Sequence, residues 1–172
     1  NFNVLAALAP GRVDLGVGKA PGGLPLSTRA LQQGLNQQEK GSFAEQLAQL
    51  DRWIRPEHQS HEEAVRATPL PPLPAEGFLL GASIDSALLA AGLGWHFVFA
   101  AHLNGDPELL REVVSTWRKH SARDVIVAVQ AIVAPTQAEA EALAQKVEVW
   151  GVELANGQRV TVASEEQAYA FA

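Results

Sequence analysis

Three short segments of this chain carry residues that can do chemistry together. The first, Gly16-Val17-Gly18-Lys19, sets two positions without side chains ahead of one cation, so a backbone or a ligand can approach closely and meet a positive charge. The second, Gly81-Ala82-Ser83-Ile84-Asp85-Ser86, joins small residues and two hydroxyls to a helix start whose free N–H groups can cradle a phosphate. Ser83 or Asp85 also serves there as an ordinary N-cap, and the Asp85 carboxylate opposes an anion unless it points away. The third, Ala101-His102, offers an imidazole in the titration range of acid–base work, in a place that equally suits a hydrogen-bonded rim residue. A fourth group, Glu57-His58-Gln59-Ser60-His61-Glu62-Glu63, spaces two histidines at i, i+3 among carboxylates. It lies in a polar linker with no scaffold to fix ligand geometry and reads as solvated loop.

Several familiar motifs are excluded. Gly11 and Gly16 have the spacing of a P-loop, but Val17-Gly18 stands where Lys-Ser/Thr is required. Gly16-x-Gly18 is followed by glycine at 22 rather than 21, and Ala20-Pro21-Gly22-Gly23 is a poor helix opening, so the dinucleotide fingerprint fails as well. No Ser/His/Asp order and no carboxylate pair stands out elsewhere.

Strand ends must hold these segments. Val13, Leu15 and Val17 alternate with small or polar residues in a run stopped by Gly and Pro, which predicts a strand ending at the first segment. Further strands are predicted over Phe78–Gly81, His96–His102 and Val125–Val133, the last apolar throughout as in a strand covered on both faces. Between them lie helical signals. Phe2, Leu5 and Leu8 share one face of an opening helix. Ser27-Thr28 caps a short helix over Arg29–Gln33, with a polar, exposed stretch from Gln32 to Gly41. Ser42-Phe43-Ala44-Glu45 is a capping box ahead of the stripe Phe43, Leu47, Leu50, Ile54, and this helix ends before Pro56. Residues 55–77, with Thr68-Pro69-Leu70-Pro71-Pro72-Leu73-Pro74, read as an extended linker.

After Phe78–Gly81 the helix Ala87–Leu93 stops at Gly94. Asn104-Gly105 turns into Asp106-Pro107, which opens a helix carrying Leu109, Leu110, Val113, Val114 and Trp117 inward. Thr136-Gln137-Ala138-Glu139 is a second capping box, for a helix packing through Ala140, Leu143 and Val147. Strand and helix thus alternate over residues 1–150, the signature of a parallel sheet with crossover helices. Residues 151–172 add a late hairpin to the same domain, Gly151–Ala155 and Gln158–Val162 across a type I′ Asn156-Gly157 turn, and a helix opened by Ser164-Glu165-Glu166-Gln167 and cut off at Ala172.

Composition narrows the function class. A net charge of -6 and a pI near 5.3 argue against nucleic acid as a partner. Without cysteine there is no disulfide framework and no thiolate zinc site, which suits a reducing cytoplasm. No apolar run is long enough for a membrane span, and no signal peptide precedes the first strand. The chain begins with Asn and contains no Met, so further sequence is expected upstream.

Pro10-Gly11-Arg12-Val13-Asp14-Leu15-Gly16-Val17-Gly18-Lys19-Ala20-Pro21-Gly22, then Leu79-Leu80-Gly81-Ala82-Ser83-Ile84-Asp85-Ser86-Ala87, then Phe97-Val98-Phe99-Ala100-Ala101-His102, together resemble the luciferase-like, flavin-dependent monooxygenases. The likeness runs in order to about Ala144. It implies an α/β fold, a partial (β/α)8 TIM barrel holding strands four to seven with their crossover helices. It further implies reduced FMN at the C-terminal mouth, reacting with O2 to a flavin C4a-peroxide that oxygenates a small organic substrate. F420 is the alternative cofactor, and a non-catalytic flavin-binding protein or an inactive fragment is the alternative function. By the resemblance, Gly18, Lys19, Gly81, Ala82, Ser83 and Ser86 bind the cofactor, with Ser83 and Ser86 in the phosphate turn. Lys19 stands where the family usually has Arg, keeping the charge but losing the bidentate fork. The catalytic residues of the family come mainly from the first three strands, so none is assigned here. A flavin reductase as partner and a homo-oligomer are implied as well.

Overall fold

A computed structural model of the chain describes residues 1–19, 41–58, 66–103, 105–147, 150–153, 159–162 and 164–171. The chain divides into two compact units, Asn1–Lys19 with Ala30–Ala128, and Ala20–Arg29 with Val129–Ala172.

In the first unit, strands β1 (Asp14–Gly18), β2 (Glu76–Gly81), β3 (His96–Ala100) and β4 (Ile126–Ala128) form one sheet in the order β1-β2-β3-β4. Every pairing is parallel. Neighbours in sequence being neighbours in the sheet, with helices between them, is what successive βα units produce, and the result is a partial TIM-barrel-like sheet. Side chains alternate between its faces. Leu15, Leu79, Phe97 and Phe99 are buried in the core with residues of the helices, among them Leu47, Ala87, Ala90, Val113 and Trp117. On the other face Phe78 lies opposite His96 in register, and their rings stack with centroids 4.4 Å apart.

The helices of this unit are α1 (Phe2–Leu8), α2 (Phe43–Ile54), α3 (Ile84–Gly92) and α4 (Pro107–His120). The capping box of α2 forms as the sequence requires: Glu45 N–H donates to Ser42 Oγ at 3.2 Å and Ser42 N–H to Glu45 Oε2 at 2.6 Å. α4 opens on Asp106 and Pro107, ends in Arg118, Lys119 and His120 where cations favour the helix C-terminus, and buries Val113 and Trp117. The Trp117 indole N–H finds the Arg123 carbonyl at 2.7 Å. In α1, Leu5 and Leu8 are exposed and the buried positions are Asn3 and Ala6; Asn3 Nδ2 donates to the Trp53 carbonyl of α2 at 3.0 Å.

Three strands depart from the periodicity reading. β2 starts at Glu76 rather than Phe78, because Asp14 and Leu15 extend the pairing to Glu76 and Gly77. Gly77 is bare for a packing reason: a Cβ there would lie 2.1 Å from the Trp95 ring. β3 ends at Ala100, and residues 101–103 are a turn. β4 covers only Ile126–Ala128 of the expected Val125–Val133, and none of its residues is buried. Pairing reaches only as far as Val98, Phe99 and Ala100 allow, and among the described residues β4 has no second neighbour, so the apolar run beyond it is exposed. The expected linker is irregular over 66–75, with Pro71 and Ala75 buried.

The second unit holds α5 (Gln137–Ala144), the antiparallel pair β5 (Trp150–Glu153) and β6 (Arg159–Val162), and α6 (Glu165–Phe171) against that pair. The Thr136–Glu139 capping box forms, but Leu143 and Val147 are exposed, so the packing expected of them is not made. The Asn156-Gly157 turn and the segment 20–40, including the helix predicted after Ser27-Thr28, lie outside the described residues.

Candidate functional site

At the C-terminal end of β2 the chain passes from Gly81 through Ala82 and Ser83 into α3. Ser83 is extended (φ -140°, ψ 160°) and caps the helix: its Oγ accepts the Ser86 N–H at 3.2 Å and lies 2.9 Å from Ser86 Oγ. The Ala87 N–H takes the Ser83 carbonyl at 3.2 Å. Of the four N–H groups that a helix start leaves open, those of Ile84 and Asp85 have no partner among the described residues. The Ser83–Ser86 hydrogen bond uses one hydroxyl hydrogen and leaves the other to donate. Gly81 makes this closeness possible, since a Cβ there would fall 2.4 Å from the Ser86 Cβ and 2.5 Å from its Oγ.

The sheet supplies the flanks. Gly18 pairs with Leu80, so Lys19, exposed and one residue further on, stands at the height of Gly81. A Cβ on Gly18 would make only ordinary contact with Leu80, and one on Gly16 would meet nothing within 4 Å, so neither glycine is demanded by a protein neighbour. On the other flank Gly81 pairs with Phe99, and the turn after β3 carries His102, whose backbone N–H donates to the Ala128 carbonyl of β4 at 3.0 Å. Gly18, Lys19, Gly81, Ala82, Ser83 and Ser86 are therefore gathered at the C-terminal edge of two paired strands, where βα folds place their ligands. Two open N–H groups, a hydroxyl and a neighbouring ammonium make a donor set suited to an oxyanion such as a phosphate. The exposed Asp85 carboxylate sits in the same helical turn and is the one group there of opposing sign.

Of the group around His58, Glu57 and His58 belong to a regular turn rather than a free loop. His58 ends a 3-10 turn over Pro56–His58, and its Nδ1 lies 2.8 Å from Asp51 Oδ2. Asp51 is buried on α2 and also accepts the Trp95 indole N–H at 2.6 Å. His61, Glu62 and Glu63 lie outside the described residues, and among the described residues no three His, Cys, Asp or Glu gather as metal ligands. Asp51 was missed by the motif reading. Its signal was a charged residue four positions after Leu47, on the apolar stripe of its helix.

No protein-family model matches the chain. It is 40% identical over 176 residues to the N-acetyl-S-alkylcysteine monooxygenase of Bacillus subtilis (strain 168), an alignment covering 99% of this chain and 52% of that protein. It is 32% identical over 169 residues to a luciferase-like monooxygenase of Escherichia coli (strain K12), covering 91% of this chain and 48% of the relative. The crystal structure of apo-MsnO8 superposes on it with a TM-score of 0.64 at 30% identity, over 81% of this chain and 41% of that one. The chain thus spans about half the length of the curated relatives it matches. Its ordered strand-end segments, its sequential parallel sheet and these similarities place it in the luciferase-like monooxygenase family.

Proposed function

We propose that this chain works in a flavin-dependent monooxygenase and that the edge formed by Gly18, Lys19, Gly81, Ala82, Ser83 and Ser86 holds the phosphate of FMN. The observation that carries the reading is the start of α3, where two open N–H groups and a hydroxyl stand beside the end of β1, which Lys19 follows. Relatives named as monooxygenases support the reaction class. The N–H groups of Ile84 and Asp85 and the free Ser hydroxyl orient the phosphate, and Lys19 neutralises part of its charge. Gly16 and Gly18 leave room along β1 for the body of the cofactor. When bound in its reduced form, the flavin supplies the electrons and the O2 chemistry that put one oxygen atom into an organic substrate and the other into water. A separate reductase delivers the reduced flavin, and the working protein is a homo-oligomer.

Titration of FMN and riboflavin, followed by flavin fluorescence, tests the site. FMN is expected to bind at least tenfold more tightly than riboflavin, and Lys19→Ala or Ser83→Ala to remove most of that preference, about one charge-assisted hydrogen bond each. Equal binding of the two flavins sinks the phosphate assignment. NADH, a flavin reductase and 18O2 then test turnover, with N-acetyl-S-alkylcysteines as the first substrates because a relative is named for them. Labelled product supports the oxygenase, whereas bound flavin that releases only peroxide favours a non-catalytic flavin carrier. The absorbance spectrum of any co-purified chromophore separates FMN from F420.

A further inference from the structure

At the end of the sheet opposite the candidate site, one ring nitrogen is claimed by two partners. His96 opens β3, and its ring stacks on Phe78 of β2 with centroids 4.4 Å apart and planes 9° apart. The stack fixes the plane of the ring and hence the direction in which Nε2 points. Glu76 Oε2 lies 2.8 Å from that nitrogen, and Arg123 Nη1 lies 2.5 Å from it. In a neutral imidazole one nitrogen carries a hydrogen and the other a lone pair, whereas in the imidazolium both carry hydrogens. Nε2 therefore accepts from Arg123 or donates to Glu76, never both at once.

The two partners belong to different parts of the sheet. Glu76 opens β2, the strand beside β3, and its side chain is 63% exposed. Arg123 lies in the turn between α4 and β4, where its N–H donates to Ser121 Oγ at 3.2 Å and its carbonyl holds the Trp117 indole. Its guanidinium carries that turn to the first residue of β3, just before the pairing of Val98 with Ile126 begins. The neighbouring charges are otherwise engaged or set apart. Arg55 lines the same cavity but pairs with Asp51 at 2.8 Å, Asp14 of β1 lies opposite Glu76 in register, and the exposed Asp124 follows Arg123. Among the described residues, Glu76 and Arg123 are the charged groups within hydrogen-bond reach of the ring.

We propose that His96 is a proton-operated selector between these partners, holding the turn that leads into β4 when neutral and letting it go when protonated. An unprotonated Nε2 accepts from Arg123 and ties the turn to β3. Protonation reverses the choice: the new Nε2–H donates to the Glu76 carboxylate, and the guanidinium withdraws from what is now a second cation. An imidazole makes this change of charge near neutral pH. The inference is independent of the phosphate reading, because these residues stand at the N-terminal end of the strands.

The ring gives the first test, by 15N NMR of the full chain labelled at histidine. At about pH 8 the His96 shifts are expected to show the hydrogen on Nδ1 and a bare Nε2, and at about pH 5.5 hydrogens on both nitrogens. A hydrogen on Nε2 at the higher pH overturns the proposal, because Glu76 then holds the ring throughout. The second measurement is amide hydrogen exchange, corrected for its intrinsic pH dependence. Protection over residues 121–128 is expected to fall about fivefold from the higher pH to the lower, the worth of about one net hydrogen bond, while the amides pairing β1 with β2 keep theirs. In His96→Gln the amide oxygen accepts from Arg123 while the amide nitrogen donates to Glu76, so protection there should be the same at both pH values. Arg123→Ala keeps the carbonyl for Trp117 and should show the lower protection at both. Protection of 121–128 in the wild type that does not change with pH overturns the selector, and so does a fall of equal size in His96→Gln.

Discussion

Asp51 is the residue on which the first unit's polar interior depends. Its side chain is 4% exposed, and both oxygens are engaged: Oδ1 by the Trp95 indole and by Arg55 Nε at 2.8 Å, Oδ2 by His58 Nδ1. Arg55 Nε is placed as an ion pair rather than as an aligned hydrogen-bond donor, so the neutral indole N–H supplies the directional bond. One carboxylate thereby ties the end of α2, the turn after it and Trp95, the residue just before β3. Removing one partner of a buried charged group costs more than the group contributes, because the others are left unpaired. Asp51→Ala is therefore expected to lower stability by about 3 kcal/mol or more in urea unfolding. His58→Ala should cost less than about 1 kcal/mol, since that ring is 43% exposed and solvent screens its pairing. Equal losses would show that the pairing to His58, not burial, dominates. The stripe Phe43, Leu47, Leu50, Ile54 was legible because it is local, whereas Asp51, a charge interrupting that stripe, was passed over. Trp95, its partner 44 residues away, was not legible, because tertiary pairing leaves no trace in a helical period.

Elements whose signals are short-range formed where the sequence puts them. The capping boxes at Ser42 and Thr136 and the Asp106-Pro107 helix start depend on neighbours two or three residues apart, and all are present. Ser42→Ala removes the acceptor for the Glu45 N–H and is expected to cost about 1 kcal/mol in thermal or urea unfolding. The Ser42 backbone and side-chain hydrogen bonds hold the Glu45 carboxyl below its ordinary value. A carboxyl lowered on folding adds stability above its unfolded pKa, and this is lost as pH falls through the lowered folded value. The cap should therefore weaken only at acid pH, and in Ser42→Ala, which keeps the larger backbone hydrogen bond to Glu45 and loses only the hydroxyl's, this part of the acid dependence of the unfolding midpoint should shrink without vanishing; its complete loss counts against the backbone bond as the main source. β4 shows where local signals fail. An apolar run marks a strand meant to be covered but does not say what covers it, and Val129 and Val133 remain exposed at 68% and 87%. The candidate site lies between these cases. Its glycines and hydroxyls were legible as strand ends, and their gathering on one edge followed once strand order was read as sequential. The bond between the two serine hydroxyls needed side-chain positions.

At the scale of the molecule, a curved parallel sheet is stable against association only where its edges are paired, covered or charged. In the first unit, β1 and β4 each have one strand neighbour among the described residues. They differ in how their outer sides are guarded. β1 carries Asp14 at its start and Lys19 just after its end, two charges that discourage a further strand from pairing. β4 presents Ile126 and Val127, 45% and 39% exposed, with no charge within the strand. A short, apolar, half-paired strand is a template for another copy of the chain. The expected outcome is self-association of this chain that grows with concentration, measured by sedimentation velocity, and that falls sharply in Val127→Lys. Val127 makes this the sharper variant because its side chain belongs to an exposed strand, so the substitution should leave the unfolding free energy within about 0.5 kcal/mol of the wild type. A chain that stays monomeric at all concentrations would show that the edge of β4 is not adhesive. Association unchanged in Val127→Lys would move the contact elsewhere, and the exposed Val4, Leu5 and Leu8 of α1 form the next apolar surface to substitute.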